Sequence, residues 1–378
     1  MIVVGIIVGL IVLVLLVSLH ELGHAIIARR NGVVVEEFGI GFPPRAWGKK
    51  LKNGVFFTIN WLPLGGFVKL QGEHDAADKK GDYGAASFWQ KTKILLGGVA
   101  VNWLTAVVLI ALLTLTSGLP KIIPDQFSVA SDTTVVTSPV TLVSTVEKYP
   151  AAQAGLEAGD TVVQFAGQTI STTQQLIDVS KAHRGQTVPV VYERAGVEKT
   201  ASVTLRDADS AVFGANLGQQ ESVKATWSAP IVGVVTTAQY TWVTLQGLGD
   251  LVYNFFGGLI GQLSFSEAGR AHASEQLGTA GASVAGPVGI LGSIFPAASE
   301  AGPHQVVFLA AIISLTLAVM NVLPIPALDG GRWFVTLLYK LRKKPLTKEK
   351  EEQIHGTGFM ALMILIVIIT IADVAKLF

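Results

Sequence analysis

Hydrophobic residues form four long runs along the chain, and stretches of mixed or polar character separate them. A helix needs about 20 mainly apolar residues to cross the ~30 Å hydrocarbon core of a bilayer. The runs therefore predict a polytopic α-helical membrane protein with four transmembrane helices. The segments that carry these helices are 1–30, 93–117, 303–340 and 357–378.

Between the first two runs, residues 31–92 are polar and rich in glycine. Four short stretches there are strand-like, and Asn53-Gly54 is typical of a hairpin turn. The pattern predicts a β-rich, membrane-associated hairpin or re-entrant region on the cytoplasmic side. The strand-like stretches are 33–40, 45–51, 54–60 and 65–70.

After the second run the periodicity changes to that of a small soluble domain. Residues 118–139, rich in Pro, Ser and Thr, predict a linker, and 140–206 predict an α+β domain outside the membrane. Its helix is expected over 172–182 with a threonine cap. Its strands are expected at 141–146, 160–167, 188–194 and 199–205.

Residues 207–302 predict extracytoplasmic or interfacial amphipathic helices. Within them, 228–263 contain one charged residue, Asp250, and are long enough for a further span. A single crossing would place the basic cluster of residues 342–350 outside, against the tendency of positive charges to remain in the cytoplasm. We therefore interpret 228–263 as an interfacial or re-entrant helix pair that does not cross.

Composition and charge support this interpretation. Half of the 378 residues are hydrophobic and 15% are charged, against about 25% charged residues in ordinary soluble domains. The absence of cysteine excludes disulfides, thiolate metal ligands and a cysteine nucleophile. The chain has no basic arm of the kind that would indicate binding to nucleic acid.

The positive charges also predict the orientation of the chain. Arg29 and Arg30 follow the first run, so the N-terminus and the α+β domain are expected outside the cell membrane and the basic loop at 341–356 in the cytoplasm.

Two histidines and a carboxylate interrupt the first apolar run. His20, Glu21 and His24 form an H-E-x-x-H string, in which residues i and i+4 share one helix face, so both imidazoles can reach one metal ion. Glu21 lies where it could take a proton from a metal-bound water. Such groups are costly at lipid depth unless they are used, which disfavours a chance match.

A hydrolytic zinc site needs a third protein ligand. Asp329 follows Pro324 and Pro326, which interrupt the third apolar run, and irregular backbone at membrane depth is tolerated only against protein or a water-filled cavity. At about 1.5 Å per helical residue, His20 lies roughly 27 Å along the first helix. Both residues are thus expected near the cytoplasmic face. A helix-capping role remains the alternative for Asp329.

The chain resembles the site-2 proteases, in the branch of bacterial regulator of sigma-E proteases. The likeness covers nearly the whole chain, including a single PDZ-like domain around AAQAGLEAGDTVVQFAGQTI. The chain departs from the family in two respects: it has room for one PDZ domain where many members have two, and residues 98–102 lack the proline of the G-P-x-x-N pattern. The matching stretches are HELGH (20–24), FGIGFPP (38–44), PLGGFVKLQGE (63–73), SFWQKTKILLGG with Asn102, AGPVGI (285–290) and NVLPIPALDG (321–330).

The resemblance implies an intramembrane zinc endopeptidase that cuts single-span membrane proteins already cut by another protease, such as anti-sigma factors, or remnant signal peptides. It implies His20, His24 and Asp329 as zinc ligands and Glu21 as the base that activates a zinc-bound water. It also implies Asn321 as a polar group that holds the substrate or stabilises the transition state. We also expect Asn102 at the substrate, although the missing proline leaves its role open.

Segment 65–70 offers a strand edge that could pair with an extended substrate, so Gly66, Phe67, Val68 and Lys69 are candidate substrate contacts. An ordinary sheet strand is an equally good interpretation. The PDZ-like domain is expected to exclude bulky ectodomains or to bind a cut C-terminus.

Other features receive structural interpretations. The run 348–352 is expected to be a solvated helix start, His74 a solvated loop residue and His355 unpaired, and Gly97 and Gly98 are expected to allow close helix packing. Two alternatives to a protease remain. A metal transporter would need further polar ligands in the second and fourth spans, and a PDZ-bearing membrane scaffold would have no use for Glu21.

Overall fold

The computed structural model describes residues 2–194 and 196–375, except for the side chain of Leu64. The chain divides into two compact units. The first, the helical unit, contains the described residues up to Leu113 and from Ala229 onward, and the second, the β unit, is Thr114–Ser228.

The helical unit begins with α1 (Ile2–Arg30), β1 (Val35–Lys50), β2 (Phe56–Leu70) and α2 (Phe88–Leu115). The β unit contains strands β3 to β11 and helices α3 and α4, in the order β3 (Leu119–Pro120), β4 (Thr134–Thr137), β5 (Val140–Thr145), α3 (Pro150–Gln153), β6 (Thr161–Phe165), β7 (Gln168–Thr169), α4 (Thr173–Ala182), β8 (Thr187–Arg194), β9 (Val197–Thr204), β10 (Ala215–Gly218) and β11 (Glu221–Lys224). The helical unit then continues with α5 (Ala229–Gly261), α6 (Glu267–Ala282), α7 (Pro287–Gly289), a π-helical turn (Ile290–Ile294), α8 (Phe295–Ala301), α9 (Pro303–Val322), α10 (Asp329–Leu341) and α11 (Lys348–Ala375).

Four helices among the described residues are long and apolar enough to cross a membrane. They are α1, α2, α9 and α11, and the count rises to five if the pair α6 and Pro287–Ala301, bent by 49°, is one broken span. These helices coincide with the four predicted apolar runs, and α11 begins at Lys348, nine residues before the start of the predicted segment. The chain is a membrane protein. Which side of the membrane each end faces stays a prediction.

The four predicted strands of the 31–92 region are parts of only two long strands. Residues 37–40 of β1 pair with 66–69 of β2 along one edge and with 56–59 of β2 along the other edge. Segment 56–59 pairs in turn with 47–50 of β1 along its opposite edge. The segments therefore lie in the order 66–70, 35–40, 56–60 and 45–50. Register shifts within β1 and β2 allow each strand to bend back in this way. Segment 66–70 is an outer segment of this sheet.

The third apolar run is interrupted where its prolines predict. Helix α9 ends at Val322, and α10 begins at Asp329. The break is tight because Gly330 and Gly331 lie directly against the carbonyls of Val322 and Ile325, where a Cβ atom would overlap backbone. These two glycines let α10 start beside the end of α9.

Residues 228–263 were expected to form a pair of helices, but they form the single helix α5 over 33 residues. Its first half packs on its neighbours: Gly233 lies against Ala111, and the Trp103 indole N–H donates to the Thr241 hydroxyl at 3.1 Å. The second half pairs with α6 instead. Gly258 of this half lies directly against Leu277 of α6, so the helix continues through its glycines by close packing.

Helix α11 is anchored mainly at its two ends. Near its start, the Ala327 N–H donates to His355 Nδ1 at 3.2 Å, and Gly358 lies against Pro326. Near its end, the buried Asp373 carboxylate accepts the Gly289 N–H at 2.7 Å. In the most apolar part of the helix only 6% of the residues are buried against the rest of the protein.

The β unit confirms the strands and the helix predicted for residues 140–206. Its larger sheet has the order β10-β5-β6-β8-β9 with β7 beside β6, and Thr172 caps α4 by accepting the Gln175 N–H at 3.1 Å. The predicted boundaries were too narrow. The expected linker contributes β3 and β4, which pair with β11, and β10 pairs with β5. Composition did not reveal these strands because their partners lie about seventy to a hundred residues away in the sequence.

Candidate active site

Three side chains from two distant segments meet in the helical unit. His20 and His24, one turn apart on α1, are each 7% exposed, and Asp329 is the first residue of α10. His20 Nε2 lies 3.1 Å and His24 Nε2 lies 3.3 Å from Asp329 Oδ2, and the two Nε2 atoms are 3.0 Å apart. Within the described residues, this is the one group of three or more His, Cys, Asp or Glu side chains whose ligand atoms converge on a single point.

The donor set fits a zinc ion. Ligand atoms about 2.0–2.1 Å from a tetrahedral zinc ion lie roughly 3.3 Å from one another, close to the separations of these three atoms. The Nδ1 atom of His24 lies 2.8 Å from the Ile94 carbonyl, to which it can only donate, so a neutral His24 presents the lone pair of Nε2 to the Asp329 carboxylate. A lone pair and a carboxylate oxygen at this distance repel each other unless a cation lies between them.

Helix α2 is shaped to accept the two imidazoles. A Cβ atom on Gly98 would come within 2.5 Å of His24 Nε2 and 2.8 Å of His20 Nδ1, so only glycine leaves room for both rings. At the same crossing Gly23 of α1 lies against the Gly97 carbonyl. The expectation that these glycines allow close helix packing is confirmed, and Gly98 also borders the ligand side chains, which the sequence interpretation missed.

Asn102 lies behind His20 instead of facing the open side of the site. It is fully buried, and its Nδ2 is 3.3 Å from His20 Nδ1. Ile94, Gly98 and Asn102 are spaced by four residues, so one face of α2 touches both histidines. The four-residue spacing could have been read from the sequence, and it would have identified Gly98 as a neighbour of the histidines.

Glu21 connects the three side chains to the sheet. Its Oε2 accepts the backbone N–H of Val68 at 3.0 Å, and Gly66 packs close to its Cγ. The base candidate is thereby held against the outer segment 66–70. Phe67 and Val68 line the adjoining cavity, whereas the exposed Lys69 side chain pairs with Glu36 at 2.9 Å.

The cavity next to these residues has a volume of about 600 Å³. Glu21, His24 and Asp329 lie on one side of it, and its lining does not include Asn102 or Asn321 among the described residues. The amide of Asn321 donates to the Leu317 carbonyl of its own helix at 3.0 Å. The other side of the cavity includes charged and aromatic residues, which are Glu73, Tyr83, Arg332, Glu351 and His355.

That charged side corrects two expectations. Glu351, expected in a solvated helix start, is 5% exposed, accepts the Asp75 N–H at 2.7 Å and lies 3.4 Å from the Arg332 guanidinium. His355, expected to be unpaired, accepts the Ala327 N–H. Both expectations failed because the partners come from the 71–87 loop and from the break before α10, which local sequence does not bring together.

Further ion pairs continue this network. Arg332 donates to the Glu73 carboxylate at 3.0 Å and covers the Tyr83 ring at 4.5 Å, and Lys91 pairs with Asp75 at 2.7 Å with both side chains largely buried. Burial raises the pKa of the Tyr83 phenol well above its usual range, so this ring stays neutral between its cationic neighbours.

The chain combines two features that fit a membrane-bound metallopeptidase. It has apolar helices that could cross a membrane, and its H-E-x-x-H helix meets a distant aspartate. The model of Peptidase family M50 matches residues 8–365, and the chain belongs to this family. It is a zinc metalloendopeptidase, and several of its relatives are named zinc metalloproteases.

Two relatives show how far the similarity extends. A putative zinc metalloprotease of Clostridium perfringens is 29% identical, with 95% of each chain covered. The regulator of sigma-W protease RasP of Bacillus subtilis is 24% identical, with 96% of each chain covered. Among solved structures, a PDZ domain from Listeria monocytogenes is 25% identical over 24% of this chain and 93% of its own, with a TM-score of 0.19. At that score the likeness leaves the PDZ character of the β unit a prediction.

Proposed function

We propose that this peptidase cleaves peptide bonds within or near the transmembrane segments of single-span membrane proteins. His20, His24 and Asp329 hold the zinc ion, and Glu21 is the catalytic base. One observation carries the proposal: ligand atoms 309 residues apart in the chain converge beside a carboxylate that borders the same cavity.

Bound there, zinc supplies a Lewis acid that polarises the scissile carbonyl and lowers the pKa of a coordinated water to about 7. The protein supplies the positions. The Ile94 carbonyl fixes the ring of His24, and the glycine-lined crossing of α1 and α2 fixes the rings of both histidines. Asp329 lies in the first turn of α10, where the helix dipole favours a negative charge.

Glu21 moves the proton. Its carboxylate takes a proton from the attacking water and delivers it to the leaving amine. In the structure this carboxylate accepts the Val68 N–H, which keeps it at the cavity wall beside segment 66–70.

Segment 66–70 would hold the substrate. A helical substrate keeps its carbonyls in internal hydrogen bonds, so the segment to be cut must become extended, and the outer edge of a sheet can pair with it. Gly66, Phe67, Val68 and Lys69 would supply backbone groups, with Phe67 and Val68 also facing the cavity. Asn321 would hold the substrate once its amide exchanges the Leu317 carbonyl for a substrate oxygen.

The proposed arrangement in the cell places the N-terminus and the β unit outside the cell membrane and the zinc site near the cytoplasmic face. The substrates would be membrane proteins already shortened by another protease, such as anti-sigma factors, or remnant signal peptides. The name of the Bacillus subtilis relative, a regulator of sigma-W protease, supports this substrate class. The β unit would act as a PDZ-like filter against bulky ectodomains.

The test uses the full chain in detergent, with bound zinc quantified and a single-span substrate supplied. Wild type is expected to hold about one zinc per chain and to cleave, Glu21→Gln to hold zinc without cleaving, and His20→Ala to lose zinc. Cleavage by Glu21→Gln would exclude the proposed base. Zinc binding without any cleavage by wild type would favour a metal transporter or a scaffold.

The role of segment 66–70 is tested separately. Val68→Pro removes an N–H group at the outer edge that also donates to Glu21, so it should slow cleavage with zinc retained by loss of both contacts, whereas Val68→Ala keeps that N–H group and serves as the matched control. Equal cleavage by both variants would contradict substrate pairing at this edge.

A further inference from the structure

Asn102, which the sequence led us to expect at the substrate, is not among the described residues that line the cavity, and its surroundings are unusual. The side chain is fully buried on α2, and within the described part of the chain its Oδ1 has no hydrogen-bond partner. The one polar contact of this side chain among the described residues is to His20 Nδ1, at 3.3 Å from Nδ2. A buried amide is costly unless its hydrogen bonds are made.

The two zinc-facing histidines need the same arrangement of protons. Each presents Nε2 to the point where the three side chains meet, so each must carry its proton on Nδ1 to keep a lone pair on Nε2. The Ile94 carbonyl enforces this for His24, because a carbonyl can only accept. For His20, the group that faces Nδ1 is the Asn102 amide.

The orientation of that amide decides the tautomer of His20. With Nδ2 toward the ring, the amide donates to Nδ1, and the proton of a neutral imidazole is forced onto Nε2, where it blocks metal binding. Turned by 180°, the amide presents Oδ1, which accepts the Nδ1–H. The oxygen and nitrogen of an amide exchange places with almost no change in shape, so the hydrogen-bond pattern has to assign them.

We propose that Asn102 is a positioning residue that accepts the Nδ1–H of His20 through Oδ1 and thereby keeps His20 Nε2 free for zinc. This inference rests on the proposed zinc ligands. It replaces the expected role of Asn102 at the substrate. Asn102 and the Ile94 carbonyl then perform the same task for the two histidines, eight residues apart on one face of α2.

The local packing holds Asn102 in place. Its backbone carbonyl accepts the Ser314 hydroxyl of α9 at 2.9 Å, and both residues are fully buried. This bond fixes the backbone of α2 against α9 at Asn102, while the side-chain amide itself contacts His20.

The experiment measures zinc affinity of the full chain in detergent by competition with a chelator, together with the thermal stability of the zinc-free protein. Asn102→Leu keeps the size of the side chain but cannot accept a hydrogen bond, and it should weaken zinc binding by roughly 10- to 100-fold. Asn102→Asp can only accept, and it should bind zinc at least as tightly as wild type. Ser314→Ala is the matched control, expected to alter packing at the same contact without changing zinc affinity.

Two results would overturn the proposal. One is wild-type zinc affinity in Asn102→Leu, and the other is an Asn102→Asp variant that binds zinc as weakly as Asn102→Leu, because the amide would then act by donation or by packing alone. If Asn102→Leu does not fold without zinc, the Asn102→Asp result decides alone. Retained zinc in His20→Ala would instead contradict the proposed ligand set, so the two failures are distinguishable.

Discussion

The two sides of the cavity are held together by opposite means. On the side of α1 and α2, backbone meets backbone through Gly23, Gly97 and Gly98, and the helices approach until no added carbon fits. On the side of α10, α11 and the 71–87 loop, ion pairs connect the elements: Arg332 of α10 pairs with Glu73 of the loop, and Asp75 of the loop pairs with Lys91 in the first turn of α2. The first side depends on volume and the second on charge, so different substitutions should damage each.

The largest effect is expected from Gly98→Ala. The added methyl group would come within 2.5 Å of His24 Nε2 and must push both imidazoles away from Asp329. Displacement of positioned groups by about 1 Å can cost roughly 100-fold in rate, so zinc binding and cleavage should both fall by at least about that factor. Zinc content and cleavage rate measure this.

Gly247→Ala is the control for that substitution, because among the described residues no atom outside its own stretch of helix lies within 4 Å of the added Cβ. It should leave zinc binding and cleavage unchanged. Full zinc binding by Gly98→Ala would show that the α1–α2 side is not limited by volume.

A second effect, on stability instead of zinc binding, is expected on the charged side. Asp75→Asn leaves Lys91 buried without its counter-charge, and breaking a buried pair in this way costs about 3–5 kcal/mol. Lys91→Met in the same chain should recover most of the loss, because no unpaired charge remains. Unfolding of the two single variants and the double variant in detergent measures the coupling. Additive losses would mean that the pair does not hold this side together.

The break before α10 should respond by about 1 kcal/mol. Ala327 has φ +82°, in the left-handed region that disfavours residues with a Cβ atom. Ala327→Gly should therefore raise stability by up to about 1 kcal/mol, with the N–H donated to His355 retained. Thermal unfolding measures it, and a loss of stability would show that chain entropy outweighs the relieved strain.

The smallest effect is expected at Tyr83. Its ring packs under Arg332, but its hydroxyl is buried and finds no hydrogen-bond partner in the part of the chain that the structure describes. Tyr83→Phe keeps the ring and removes the unpaired group, so stability should stay the same or rise by less than about 1 kcal/mol. A clear loss on thermal unfolding would mean that the hydroxyl takes part in the charged network.

The sequence predicted the features that depend on local spacing. H-E-x-x-H on one helix, the proline break before Asp329 and the capped helix at Thr172 all follow from residues within a few turns of each other. The meeting of Asp329 with the histidines was inferred because charged groups are costly at lipid depth, which restricts the candidates. The energetic cost of burying charged groups in lipid thus predicted a contact between distant residues that no local sequence pattern could predict.

Features with distant partners were not predictable. The burial of Glu351 depends on Asp75 and Arg332, which come from two other elements. The strands of the expected linker depend on β11, and the order of the segments in β1 and β2 depends on how each strand bends. Local composition describes a residue's own preference and says nothing about which distant group will satisfy it.

The anchoring of α11 at its ends has a consequence for how this protein tolerates change. Between His355 and Asp373 the helix offers its surface almost wholly to lipid, so one apolar side chain can replace another there at little cost. The polar contacts at the two ends allow no such exchange. Mutational drift in the last span should therefore accumulate in its middle and spare its termini, the reverse of the usual pattern in which the ends of an element vary most.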